Sequence, residues 1–191
     1  AASHAGSCGW PAPGVEVRLD GTRDGVGELL LRAPNVVRRY WPDVPAVDAE
    51  GWFHSGDLAR QAADGSYTVV GRAKDMVISG GENIYPAEIE HLLAGHPAVA
   101  DCAVLGLPDP QWGEKLVAVV VLKHQNGSFP APDGHAMLSN CESVLTGFLR
   151  ERLARYKLPR RWVFVEALPR TALGKVQKAV LARQLGPDLA S

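Results

Sequence analysis

No stretch of this 191-residue chain holds the roughly 18 consecutive apolar residues that a membrane helix needs. The start lacks the charged-then-apolar order of a secretory signal. Cysteine is scarce. Cys8, Cys102 and Cys141 are odd in number and far apart, so no disulfide framework or zinc spacing follows. They predict free thiols in a reducing cytoplasm. The six histidines form no H-E-x-x-H pair, and no tightly built metal site is expected. A Mg²⁺ travelling with a nucleotide is compatible with that pattern. Excess charge of either sign is missing too: 20 Lys and Arg stand against 21 Asp and Glu, a net charge of −1. That balance argues against broad nucleic-acid binding, which wants clustered positive charge. There is no internal repeat.

What is present suffices for one moderate domain or two small ones, since 46% of the residues are hydrophobic. The opening "AASHAGSCGW" has neither a methionine nor a helix or strand period, and reads as the cut edge of something larger. Over the first seventy residues, "VEVRL" (15–19) and "GELLLR" (27–32) are strand candidates joined through the turn cluster "DGTRDGVG". "NVVRRYW" (35–41) predicts a short helix before Pro42. "GWFHSGDLARQAADGSYTVVGR" predicts two strands around Asp64-Gly65. This half reads as all-β.

Beyond Asp75 the pattern changes. Pro86 opens a helix with Ile89, Leu92 and Leu93 on one face and Gly95 at its end. "VADCAVLGL" (99–107) and "KLVAVVVLK" (115–123) predict strands, the second apolar enough to be buried on both faces. Residues 125–141 read as a loop shading into a helix, with Ser139 and Glu142 as a capping box and Leu145, Leu149, Leu153 and Tyr156 as its apolar stripe. "RWVFVE" (161–166) is a third strand, and "KVQKAVLARQL" (175–185) a closing helix stopped by Gly186-Pro187. The second half is therefore α+β, and the boundary falls between Arg72 and Asp75.

Three clusters hold the chemistry-bearing residues: "WFHSGDLA" (52–59), "GRAKDMVISGGENIYPAEIE" (71–90) and "LPRTALGKVQK" (168–178). None is a phosphate loop by its own pattern. "TALGKV" lacks the first glycine of G-x-x-x-x-G-K-[ST] and has Val176 where Ser or Thr belongs. "GVGELL" lacks the third glycine of a dinucleotide fingerprint and reads as a hairpin turn.

Together and in this order, the clusters resemble adenylate-forming enzymes of the acyl-CoA synthetase type: CoA ligases, luciferases and the adenylation domains of peptide synthetases. The resemblance covers nearly the whole chain. It implies a fold in two parts. Residues 1–73 would be an all-β fragment ending a large N-terminal domain. Residues 74–191 would be a small mobile C-terminal domain with a short mixed sheet flanked by helices, hinged at Lys74. It also implies two chemical steps. A carboxylate attacks the α-phosphate of ATP, giving an acyl-adenylate and pyrophosphate, and the thiol of coenzyme A then displaces AMP.

The first step brings two anions together and needs positive charge where they meet. Lys175 matches the family's lysine for that task. At about 4 Å and an effective dielectric near 20, one such contact is worth on the order of 4 kcal/mol. The resemblance lets Gly174 loosen the loop before it and a helix start follow it. Asp57 matches the carboxylate that accepts two hydrogen bonds from the ribose diol, and Arg72 the arginine that also reaches the ribose. Ser55 stands where the family more often has Thr. Lys74 holds the hinge position, where a non-proline residue can change its dihedrals.

Gly80 and Gly81 would line the tunnel for CoA's pantetheine arm, or else form a tight turn before the Pro86 helix. Glu82 and Asn83 favour the CoA-ligase subgroup. Trp112 matches an aromatic near the CoA site and is equally a packing residue. Lys157, Arg160 and Arg161 could meet CoA's phosphates or form a solvated charge run. The family's phosphate loop, adenine site and acyl pocket are not visible, so the chain is expected to be part of a longer protein and inactive alone. Fatty, aromatic and small dicarboxylic acids remain alternatives for the substrate. Loading of a carrier protein and a non-catalytic nucleotide- or CoA-binding module are the other functional readings.

Overall fold

The computed structural model describes residues 6–123 and 135–186, the side chains of 135–138 excepted. The chain divides into two compact units, Ala1–Lys74 and Asp75–Ser191.

In the first unit, strand β1 (Glu16–Arg23), which alternates apolar and polar residues as far as Asp20, pairs antiparallel with the more apolar β2 (Val26–Arg32). They turn at Asp24-Gly25, both with positive φ (53° and 76°), as a tight hairpin requires. A two-stranded ribbon, β3 (Arg39–Tyr40) and β4 (Val44–Pro45), follows. Strands β5 (Phe53–Gln61) and β6 (Tyr67–Arg72) complete a four-stranded antiparallel sheet in the order β1-β2-β5-β6. Val26, Leu30, Trp52, Ala59 and Tyr67 are buried. The guanidinium groups of Arg18 and Arg32 lie 4.8 and 4.3 Å from the Trp52 ring centroid.

The helix expected over 35–41 does not form; β3 occupies its end. Val36, Val37 and Tyr40 lose side-chain freedom in a helix, and Pro42 disfavours helical geometry in the residue before it.

A 3-10 turn, Ala73–Asp75, follows β6. The second unit begins with a hairpin the sequence did not suggest, β7 (Val77–Ser79) and β8 (Glu82–Ile84), each strand too short to show a period. Helix α1 (Pro86–Ala94) opens at Pro86. Strand β9 (Val99–Asp109) pairs antiparallel with β10 (Gly113–Leu122). Helix α2 (His135–Arg150), a 3-10 turn (Arg155–Lys157), strand β11 (Arg161–Phe164) and helix α3 (Lys178–Leu185) complete the unit. Strand β10 is the hub, with β11 parallel to it and β7 antiparallel at Gly113. The sheet is therefore mixed, and the unit α+β.

The apolar run of β10 explains why three helices can pack here. Its residues Leu116, Ala118, Val120 and Leu122 enter a core with Ile89 and Leu93 of α1, Leu145 and Leu149 of α2, and Trp162. Val117, Val119 and Val121 enter a second core with Ala103, Leu105, Leu107, Leu168 and Leu181 of α3. A strand points successive side chains to opposite faces, so one continuous apolar run serves both cores.

Three boundaries differ from expectation. Helix α2 starts at His135, so Ser139 lies inside it and cannot be its N-cap; the helix formers Ala136, Met137 and Leu138 carry the helix upstream. The same helix ends at Arg150, so of the expected stripe Leu145 and Leu149 are helical, while Leu153 packs on the core from beyond the helix and Tyr156 is exposed. Helix α3 starts at Lys178 rather than Lys175, because Val176 bridges to Arg170 and the Gln177 amide donates to the Pro169 carbonyl at 2.8 Å. Residues 125–134 of the expected loop, and Pro187, lie outside the described residues.

Leu149 is wholly buried between α2 and the sheet, whereas Ile78 is half exposed. Leu149→Ala should cost about 2–5 kcal/mol, and Ile78→Ala at most about 0.5 kcal/mol. Urea unfolding followed by fluorescence reads both, and equal losses would contradict this core.

Candidate functional site

Two groups of candidate residues sit on separate units. In the first unit, Asp57 and Arg72 are cross-strand neighbours of β5 and β6. Arg72 Nη1 lies 2.9 Å from Asp57 Oδ1 and donates to the Ser55 carbonyl at 2.8 Å. Ser55 Oγ donates to the Leu29 carbonyl (2.6 Å) and accepts the Asp57 amide (3.0 Å), which fixes the start of this stretch. Asp57 Oδ2 has no partner among the described residues. A carboxylate with one oxygen committed to an arginine and one open can receive hydroxyl donors.

Glu28 was not singled out by sequence, although it is a lone carboxylate in the apolar run of β2. Its Oε1 accepts the Gly56 amide at 3.0 Å and its Oε2 lies 3.1 Å from His54 Nδ1. His54 Nε2 lies 3.4 Å from Asp48 Oδ2. The Glu28 hydrogen bond, with help from Asp48 and against some desolvation, raises the His54 pKa above its ordinary value. The amide of Trp52, donating to Asp48 at 2.8 Å, is the main reason the Asp48 carboxyl is held low.

In the second unit, Gly80 and Gly81 are the two-residue turn between β7 and β8, flanked by the Ser79 and Glu82 pair. Both have positive φ, 61° and 84°. The Gly80 amide donates to the Trp112 carbonyl at 2.9 Å, and a Cβ on Gly80 would stand only 2.9 Å from Trp112 Cε3. The close approach that demands glycine is thus to the indole. Trp112 is itself fixed: Asp109 Oδ1 accepts the Gln111 and Trp112 amides, both at 3.0 Å, and Lys115 Nζ sits 2.8 Å from Asp109 Oδ2. The Lys115 contact leads the forces that hold the Asp109 carboxyl below the usual range. Arg160 lies 3.7 Å over the Trp112 ring.

The fold therefore gathers Gly80, Gly81, Trp112 and Arg160. Glu82 and Asn83 follow on β8, exposed and half-buried. Lys157 is bound elsewhere, 2.6 Å from Glu88 Oε2, and Arg161 begins β11.

Lys175 lies on the loop before α3, not on the helix, so the positive potential of a helix start, which fades within the first turn, belongs three residues later. The loop is closed by backbone bonds from Thr171 to the Lys175 carbonyl and from Gly174 to the Thr171 carbonyl, both 2.8 Å. The Lys175 amide donates to Thr171 Oγ1 at 3.2 Å, and Gly174 takes the left-handed turn at φ 81°. The Lys175 side chain is exposed and has no partner among the described residues. Lys115, Lys157 and Lys178, in contrast, are each ion-paired. Lys74 is exposed in the 3-10 turn and ends the first unit. Cys102, by contrast, is no reactive group: burial pushes its thiol up to about 12.

Comparison with known proteins places the chain among relatives. Residues 88–175 match the family described as AMP-binding enzyme C-terminal domain. A feruloyl-CoA synthase from an Amycolatopsis species is 45% identical over 97% of this chain and 37% of its own length. An indoleacetate–CoA ligase from Aromatoleum aromaticum is 47% identical over 91% of this chain and 34% of its own. The crystal structure of the anthranilate CoA ligase AuaEII in complex with anthranoyl-AMP superposes with a TM-score of 0.79 at 34% identity, over 97% of this chain and 36% of that one. The chain spans about a third of the length of the curated relatives it matches.

The raised His54 pKa has a definite sign. Its stabilising contribution is complete below the ordinary histidine value of about 6.5 and is lost as pH rises through the higher folded value. An NMR titration of His54 should show a midpoint above the ordinary value, and Glu28→Gln should lower it. A midpoint indifferent to that substitution would remove Glu28 as the cause.

Proposed function

The chain belongs to the AMP-binding enzyme family, matching its C-terminal portion, and from that premise we propose that it is part of an ATP-dependent acyl-CoA ligase. Such an enzyme activates a carboxylic acid as acyl-adenylate and then transfers the acyl group to the thiol of coenzyme A. The feruloyl and indoleacetate enzymes among its relatives favour an aromatic acid as substrate. Mg²⁺ would accompany the ATP, and the unpaired thiols of Cys8, Cys102 and Cys141 fit a cytoplasmic setting.

The observation that carries this reading is the Lys175 ammonium. It stands exposed on a hydrogen-bonded loop, with no partner among the described residues. A cation so placed is free to neutralise charge on a substrate. Between an acyl carboxylate and the α-phosphate it would relieve the repulsion of two anions and stabilise the charge that builds as they join. Asp57, braced by Arg72, would accept the ribose hydroxyls through its open oxygen. The second unit would turn about Lys74, the exposed residue at which the two units divide. Gly80, Gly81, Glu82, Asn83 and Trp112 would then receive the pantetheine arm, with Arg160 near the CoA phosphates. Lys157 would reach those phosphates only by leaving Glu88.

In the full-length protein, Lys175→Ala should lower adenylate formation by a hundredfold or more, given ammonium contacts of about 4 kcal/mol, while thioester formation from supplied acyl-adenylate stays near normal. Equal loss in both half-reactions would refute the role. Lys74→Pro, which locks φ, should impair the second half-reaction and spare the first; unimpaired thioester formation would end the hinge reading.

A further inference from the structure

The catalytic reading leaves Arg170 and Asp101 without a task, yet the two are tied to the loop that bears Lys175. Arg170 is the first residue of that loop. Its Nη1 donates to the Gly174 carbonyl, immediately before Lys175, and its Nη2 donates to Asp101 Oδ2. Asp101 is no loose partner. It lies on β9, and its other oxygen, Oδ1, accepts the Cys102 amide at 3.0 Å. Strand β9 pairs with β10 along its length, so Asp101 is anchored to the central sheet. From the far side, Gln177 Nε2 donates to the Arg170 carbonyl at 2.8 Å. The loop tip, by comparison, is bare: Leu173 is 96% exposed.

We propose that Arg170, held by Asp101, is a positioning residue that sets the direction of the Lys175 backbone and so the place its ammonium can reach. This rests on the role proposed for Lys175. The physical need is plain. The five residues 171–175 contain a left-handed glycine and an exposed tip, and their two backbone bonds fix the loop's internal shape only. Internal bonds do not fix how the loop stands on the sheet. Leu168 and Val176 seat the two ends of the loop on the second core, and the Arg170 fork adds the polar tie, because its two donors point to the loop at one end and to β9 at the other. A guanidinium suits this work, since its planar donors are fixed relative to each other. A lysine offers one rotatable ammonium and cannot reproduce that fork. Arg170 and Asp101 are both partly exposed, and exposed ion pairs contribute little to stability. The arrangement is therefore better suited to orientation than to holding the fold.

The test uses the full-length ligase, measuring pyrophosphate release in the first half-reaction and thioester formation from supplied acyl-adenylate in the second. Arg170→Met should lower the first kcat about tenfold or more, since an ångström of misplacement can cost that much. The KM for ATP and the second half-reaction should be little changed. Arg170→Lys should fail to restore the rate. Asp101→Asn, which keeps shape and removes charge, should fall between wild type and Arg170→Met. On a Lys175→Ala background, Arg170→Met should cost nothing further. An Arg170→Met enzyme with normal adenylation overturns the proposal while leaving Lys175 in place. So does a full extra loss on the Lys175→Ala background, which would mean a general structural role. If Lys175→Ala itself leaves adenylation intact, the catalytic reading has failed and the positioning role falls with it.

Discussion

Everything in the second unit hangs on the two-sided burial of β10. Its side chains alternate between two cores, and Leu116, Val117, Val119 and Val120 are each at most 1% exposed. At about 1.5–3 kcal/mol per buried Val or Leu side chain, these and their neighbours on the strand supply on the order of 10 kcal/mol towards ordering the chain. Helices α1 and α2 take one face and α3 the other. Without a strand apolar on both sides, α3 would have nothing to pack on, and the loop leading into it would have no fixed base.

That division of labour extends to the polar residues. The apolar strand holds the unit together, and the charged groups at its margins arrange what projects from it. Asp109 holds Trp112 by two amide bonds, Trp112 sets the Gly80 turn, and Arg160 covers the indole. Asp101 and Arg170 do the same for the Lys175 loop. In the first unit Glu28 organises His54 and Gly56 beside Asp57. In each case one carboxylate on a strand, or at its end, accepts donors from a neighbouring segment. Glu28 and Asp101 are partly exposed, so their bonds add modestly to stability, while the Asp109 side chain is only 8% exposed and is matched by Lys115. Their effect lies in the geometry they impose.

Much of this was legible in the sequence, for identifiable reasons. The 3.6-residue spacing of Ile89, Leu92 and Leu93 after Pro86 marked α1, and the unbroken apolar run of β10 announced a strand buried on both faces. The motif residues Asp57, Arg72 and Lys175 could be named before any coordinates. What could not be read was short or non-local. Strands β7 and β8 have three residues each, too few for a period to appear. The stretch 35–41 is a different case, since Val36, Val37, Tyr40 and Pro42 already weigh against a helix there. The start of α3 depends on Val176 pairing back to Arg170, six residues away. Glu28 and Asp101 gain meaning only once strand pairing, for the first, and the packing of a loop on β9, for the second, bring them beside residues 26 and 69 positions distant. Sequence shows which groups can do chemistry more readily than which groups hold them still.

This last distinction bears on how a lone lysine can serve a reaction between anions. An exposed lysine side chain gives up about 2 kcal/mol of rotamer entropy when it is fixed. A single well-placed contact returns about 4 kcal/mol at an intermediate dielectric. The margin is thin, and it vanishes if the backbone must be ordered as well, at about 1–2 kcal/mol per residue. A loop whose backbone is already closed by Thr171 and Gly174 leaves only the side chain to be ordered at the moment of reaction. Seen this way, the hydrogen bonds around Lys175 matter less for what they add to folding than for the entropy they remove beforehand. An ammonium on a floppy segment would carry the same charge and deliver little of it.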